Sequence, residues 1–227
     1  VASRAVSFDG VDDKLTTLYP GNIEHNFSFA FWANPRATTK LIGESNKGQD
    51  GNNPVSGGLI DYPNGGKSGD AGIGMNLGTN GITIIEHADH HITAPLVYAA
   101  DLSGWKHYTV VVINSRPHLY INGTLARHGL QSKKTIFWSD FHDRERHPGN
   151  GAGYGRYGTG IGHGRYGAYA GQMDELRIYN RALSTEEITA LYDLEKPSSE
   201  TASGTKKPGT LLWEFVTGEG AFGVRSS

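Results

Sequence analysis

Asp174 and Glu175, followed by Arg177, are the first place to look for acid–base chemistry in this chain of 227 residues. A retaining glycosidase needs two carboxylates about 5 Å apart. On a strand that means residues i and i+2, or i and i+4, on one face. Asp174 and Glu175 are adjacent, so a regular strand points them to opposite faces, and Arg177 takes a same-face partner position. No other strand-like stretch carries such a pair. Histidine offers a second hook, because His87, His90 and His91 lie within five residues beside Asp89. Such a cluster could bind Zn²⁺, but it lacks a signature such as H-E-x-x-H, and solvated loop histidines are the simpler reading. The run His142, Asp143, Arg144, Glu145, Arg146, His147 reads as a wet loop surface. Gly162 to Gly167 formally matches G-x-G-x-x-G, yet it precedes a strand and has no helix to aim at a phosphate, so nucleotide binding is rejected. Tyr154, Arg156, Tyr157, Arg165 and Tyr166, with Tyr169, are more promising. Tyrosine faces stack on the apolar faces of sugar rings while Arg supplies hydrogen bonds. Packing of these aromatics on the body of the fold is the alternative.

The elements that would hold these residues are short strands. Phe27 to Ala33 places an aromatic at every second position, the period of a strand against a core. Trp105 to Val112 is β-branched and aromatic, and Leu119-Tyr120-Ile121 leads to Asn122-Gly123, the preferred pair for a type I′ hairpin turn. Val6-Ser7-Phe8 and Ile82 to Glu86 are further short strands. Between them, residues 43–72 and 139–170 are dense in Gly, Asn and Asp and read as long loops. Residues 87–91 form a polar interruption. Ser184 is an N-cap with Glu187 three residues on, a capping box, and Leu183 and Ile188 stand where a hydrophobic staple would put them.

Composition bounds the rest. The 32 glycines and 11 tyrosines favour short strands and tight turns in a single core-bearing domain. A net charge of −2 gives no reason to expect nucleic acid or an anionic membrane as partner. The absence of cysteine excludes disulfides and thiolate metal sites. The start at Val1, without initiator Met or signal peptide, reads as a processed piece of a longer protein. Residues 1–196 read as the domain and 197–210 as a flexible linker, with no apolar residue larger than Ala between Pro197 and Pro208. Residues 211–227 are strand-like again. They resemble the opening of a quinoprotein-like β-propeller repeat and read as the truncated start of a following domain; a last strand folding back on the first domain is the alternative.

Three ordered motifs carry a second resemblance. Phe8-Asp9-Gly10-Val11-Asp12-Asp13 comes first. Gly104 to Val112 with Leu119 to Gly123 comes second, and Gly171-Gln172-Met173-Asp174-Glu175-Leu176-Arg177-Ile178-Tyr179-Asn180-Arg181-Ala182-Leu183-Ser184 closes the set. Together they resemble laminin-G-like, concanavalin A-like jelly rolls over about residues 6–194. The resemblance implies an all-β, two-sheet antiparallel jelly-roll sandwich with one short helix near the C-terminus. It also implies a structural Ca²⁺, with Asp9 and Asp174 as side-chain ligands, Asp12 as a further one and Gly10 as a carbonyl donor. Calcium takes six to eight oxygens, which distant segments can supply. The plainer alternative is that Asp9 shapes an Asx turn and Asp174 pairs with Arg177. The chain departs from the family at Ile113 to Arg116, where an Asp-Gly turn is usual.

These readings converge on a non-catalytic recognition module of a larger secreted, periplasmic or cell-surface protein. Its expected partners are a polysaccharide or glycoprotein glycan and the neighbouring domains of its own chain. The ligand would be held by the loops at 43–72, 87–91 and 139–170, with His90, His91 and the Tyr and Arg residues above as contacts. Two alternatives stand beside it. One is a hydrolase or lyase using an unfamiliar set around His91 or His163; the other is a structural or adhesive spacer.

Overall fold

The computed structural model describes residues 5–13, 15–16, 25–48, 58–60, 70–88, 91–134, 136–139, 160–161, 163–164, 167–196, 214–215 and 221–225. The strands in chain order are β1 (Val6–Asp9), β2 (Leu15–Thr16), β3 (Phe27–Pro35), β4 (Gly58–Ile60), β5 (Asp70–Gly78), β6 (Gly81–Ala88), β7 (His91–Ala99), β8 (Lys106–Ile113) and β9 (Arg116–Ile121). They continue with β10 (Thr124–His128), β11 (Ile136–Ser139), β12 (Gly160–Ile161), β13 (His163–Gly164), β14 (Gly167–Ala168), β15 (Ala170–Tyr179), β16 (Glu214–Phe215) and β17 (Ala221–Arg225). Helix α1 spans Thr185–Glu195. Among the described residues no helix is long and apolar enough to cross a membrane.

Apart from β13 and β14, which pair with each other, the strands form two facing sheets, the jelly-roll sandwich expected from the motifs. Sheet A runs β10-β9-β8-β3-β15-β17-β16, with β1 also on β15; sheet B runs β2-β12-β4-β5-β6-β7, with β11 also on β5. Pairing is antiparallel except for β11, which lies parallel to β5. The period-2 pattern sets which face is buried. Phe27, Phe29 and Phe31 of β3 join Tyr108 and Val110 of β8 on the inner face, against Ile73, Met75, Ile82 and Ile84 of sheet B. Phe31 stacks on Tyr108 with ring centroids 5.5 Å apart. Trp32 departs from the expected aromatic face, since it points to the outer side of sheet A and lies under α1.

Helix α1 covers that outer face. Ser184 Oγ accepts from the Glu187 backbone N–H, and the Glu187 carboxylate accepts from Ser184 N–H, so the capping box is formed. Leu183 and Ile188 pack together with Val111, completing the staple. Arg181 donates to both Glu187 oxygens at 2.7 Å, which holds that carboxyl well below its ordinary range, at about 2.

Three loop readings are corrected. Residues 43–72 contain β4 and the start of β5. Of residues 87–91, His87 and Ala88 end β6 and His91 opens β7, with Ala88 opposite His91. Residues 139–170 contain β12, β13 and β14. Glycines at 72, 74 and 78 disguise β5, and Pro95 disguises β7. Pro95 sits at the register shift between β6 and β7, where a strand tolerates the missing N–H. At the chain end, β17 pairs antiparallel with Arg177–Tyr179, on the same edge of β15 that β1 occupies further along.

Candidate functional site: two rims of the sandwich

The first rim holds the acidic turn. β1 ends at Asp9, opposite Ala170, and the chain then turns through Gly10 with φ 85°. A Cβ at Gly10 would lie 2.8 Å from Ala170 Cβ, so this close approach needs glycine. Asp9 Oδ1 accepts from Val11 N–H at 2.7 Å, an Asx turn, and Asp13 Oδ2 accepts from Asp9 N–H at 2.8 Å. The carboxylates of Asp9, Asp12 and Asp13 are exposed and lie within 4.8 Å of one another. The sequence reading named Asp9 and Asp12; Asp13, adjacent in sequence, completes the group.

Asp174 does not join them. Its register partner is Trp32, whereas Asp9 stands opposite Ala170, four residues back along β15 and about 13 Å away at strand rise. A bulge between Asp174 and Arg177, with Glu175 at φ 52°, places both residues on the outer face. There Asp174 is buried, and its Oδ1 accepts from Glu175 N–H at 2.9 Å. The expectation that Asp174 shares an ion with Asp9 is therefore corrected by register. The bulge adds Asp174 to the side that Arg177 occupies, while the Arg177 guanidinium still reaches Glu175, the same-face partner expected of a regular strand.

On the outer face Arg177 donates to Glu175 Oε2 at 3.0 Å and pairs with Glu195 near the end of α1. Trp32 Nε1–H donates to Glu195 Oε2 at 3.0 Å. His107, fully buried beside Trp32, has Nε2 3.5 Å from the same oxygen. Burial, with the charge of Arg177 adding to it, lowers the His107 imidazole to about 4. Glu195 alone would favour the protonated ring, but its carboxylate is already occupied by Arg177 and Trp32. This closed group docks the helix.

The opposite rim gathers the described ends of the long polar segments. Glu86 points inward from β6, level with core residue Ile73 of β5, which stands opposite Ser139 of β11. Its side chain is fully buried, and Oε1 pairs with His91 Nε2 at 2.8 Å. Oε2 is buried with no hydrogen-bond partner. On the far side of the His91 ring lies Gly48, where a Cβ would overlap Nδ1. Thr93 Oγ1 donates to Ser45 O at 2.7 Å, and Asn46 Nδ2 donates to Gln131 O at 2.9 Å. Residues 45–48 are thus pinned to β7 and to the segment after β10. His91, proposed from sequence as a ligand contact, is 12 % exposed and held on both sides, so it positions the 45–48 segment. His90, Tyr154, Arg156, Tyr157, Arg165 and Tyr166 lie outside the described residues. Glu86, which fixes His91, stands out in the sequence only as a carboxylate at the core-facing period of an otherwise apolar strand.

Gly48→Ala is expected to cost about 1–3 kcal/mol, because the new methyl must displace a ring that Glu86 fixes. Gly43 has nothing within 4 Å of a Cβ, so Gly43→Ala is the matched control. Thermal unfolding of the two variants reads the difference.

A family model described as the concanavalin A-like lectin/glucanases superfamily, of laminin-G type, matches residues 9–189. The chain belongs to this family. No curated protein sequence matches it. Among solved structures, it is similar to domain 4 of AbnA, a GH43 extracellular arabinanase from Geobacillus stearothermophilus in complex with arabinotriose. That match has 13% identity, covers 84% of this chain and 82% of that one, and has a TM-score of 0.45. A structure of botulinum neurotoxin type C, whose cell entry depends on two ganglioside molecules, matches at 13% identity, 78% and 37% coverage and a TM-score of 0.48. The binding domain of botulinum neurotoxin DC in complex with rat synaptotagmin II matches at 13% identity, 75% and 36% coverage and 0.46. The chain thus spans little more than a third of the neurotoxin chains it matches.

Proposed function

We propose that this domain is a non-catalytic recognition module that binds a polysaccharide or glycoprotein glycan through the rim around His91, within a larger extracytoplasmic protein. The observation that carries the reading is the convergence there of the described ends of three polar segments. Residues 45–48 lie on His91, the β6–β7 hairpin ends at His91, and β11 stands level with Glu86 through β5. Family membership supports it, because the family's description names lectins beside glucanases. The sequence carries no E-x-D-x-x-E strand, which favours binding over hydrolysis. The test is one incubation of the chain with a panel of polysaccharides, scoring retained protein and released sugar. Retention without release supports the module, and release of reducing ends or unsaturated sugars overturns the non-catalytic reading. Neither signal returns the domain to a spacer role.

The reading includes a structural Ca²⁺ at the other rim. Asp9, Asp12 and Asp13 are hard oxygen donors close enough to share one ion, and their exposure leaves room for water to complete the six to eight ligands that calcium takes. Bound there, the ion would neutralise three clustered carboxylates and tie β1 to its following turn. Addition of Ca²⁺ at about 100 times Kd is expected to stabilise the fold by about 2.7 kcal/mol. Asp12→Asn and Asp13→Asn should each remove most of that gain in a thermal melt, and Asp174→Asn should leave the calcium increment unchanged.

A further inference from the structure

Away from both rims, strands β9 and β10 set His118 and His128 opposite each other in register. Leu119 and Ile121 alternate with them into the core, so the histidines stand on the outer face of sheet A. Their Nδ1 atoms are 2.6 Å apart, with ring planes at 87° and centroids 4.8 Å apart. Two ring nitrogens at that separation cannot both carry a proton, so at least one lone pair points into the gap. His128 is exposed and His118 half-buried, which leaves the gap open to solvent.

We propose that His118 and His128 form a bidentate site for a borderline transition-metal cation, with Cu²⁺ preferred over Ni²⁺ and Zn²⁺. Imidazole nitrogens bind such ions at about 2.0–2.1 Å. Two of them at right angles are then about 2.9 Å apart, and at the tetrahedral angle about 3.3 Å. The observed gap needs to open by only a few tenths of an ångström for the first geometry, and by about twice that for the second. Tetragonal Cu²⁺ and Ni²⁺ therefore fit more easily than tetrahedral Zn²⁺, and the usual affinity order puts Cu²⁺ first. Both rings bind as neutral imidazoles. A proton on Nδ1 passes through solvent to Nε2 of its own ring, so loading releases no net proton, and waters fill the remaining positions. Arg116 lies two residues along β9, its Nε–H donating to Gly129 O at 2.7 Å, and its positive charge opposes the incoming cation.

The test is a Cu²⁺ titration of the full chain in a non-coordinating buffer, followed by electron paramagnetic resonance for two equatorial nitrogens. His118→Asn and His128→Asn should each weaken binding at least tenfold and lose the two-nitrogen signature. His91→Asn should leave both intact, and Arg116→Gln should tighten binding severalfold. Unchanged affinity and spectrum in either His118→Asn or His128→Asn would overturn the proposal, as would loss of the signature in His91→Asn alone. His118→Asn, His128→Asn and Arg116→Gln alter outer-face side chains, whereas His91→Asn removes the partner of the buried Glu86, so each variant is compared only where its metal-free melt shows a folded protein.

Discussion

Replacement of Arg177 by Met is expected to destabilise the domain by about 3–5 kcal/mol, the cost of leaving one partner of a buried ion pair uncompensated. The Arg177 side chain is 11 % exposed and that of Glu195 5 %, so water screens the pair little. Glu195 lies in the last turn of α1, which carries no basic residue of its own. A carboxylate there is disfavoured by the helix dipole, and Arg177 offsets that from the sheet below. Without it, Glu195 keeps only the Trp32 indole N–H, and Tyr192, stacked on Trp32 at 5.9 Å, loses its anchor. For a domain of this size the loss corresponds to a fall in Tm of about 10 °C. The double variant Arg177→Met with Glu195→Leu should recover most of it, because an apolar pair of similar volume is often neutral in such a site. A single variant that melts within a degree or two of the parent would show that α1 is held by its apolar face alone.

That network explains why the closing motif was legible as a resemblance and yet misread in part. A strand at β15 and the capping box are local signals, and both appear as expected, although the alternation of β15 holds only from Ala170 to Met173. The role of Asp174 is not local. It depends on a bulge that moves Asp174 and Arg177 onto one face, and nothing in the residue types at 174–177 announces the extra residue. The hairpins make the same point from the other side. Asn122 and Gly123 have φ 51° and 76°, the positive pair that a type I′ turn needs. Asn114 and Ser115 depart from the family's usual residues yet reach φ 47° and 63°. Contacts distant in sequence hold them there: Asn26 Oδ1 accepts from Asn114 N–H, and His25 O accepts from Ser115 N–H, each at 2.9 Å.

The candidate rim was half legible for similar reasons. A cluster of histidines beside a glycine-rich stretch is visible in sequence. The partner that fixes His91 is not, because Glu86 is five residues away and is brought to it by hairpin register. The polar appearance of this stretch hid the fact that His87 and Ala88 belong to β6 and His91 to β7. The acidic turn was the most legible, since Asp9, Asp12 and Asp13 are grouped within five residues and need only one turn of chain to meet.

Acidification should expose the second large effect, centred on His107. The folded imidazole titrates at about 4, below its ordinary 6.5, because burial beside Trp32 and Tyr192 disfavours the charged ring and the charge of Arg177 adds to that. Between those two values the unfolded chain binds a proton that the folded chain refuses, so stability rises with pH across that window. Above pH 6.5 both states hold a neutral ring and the contribution is level. As pH falls from 6.5 to about 4, the domain is expected to lose about 3 kcal/mol from this one group. Urea unfolding at half-unit steps across the window measures the slope, and His107→Gln should flatten it. Arg177→Met should flatten it too, for a different reason: with Arg177 gone, Glu195 becomes available to a protonated His107 at 3.5 Å. The charged ring would then be favoured in the folded state. An unchanged slope in both variants would assign the acid sensitivity to other groups and remove His107 from the account.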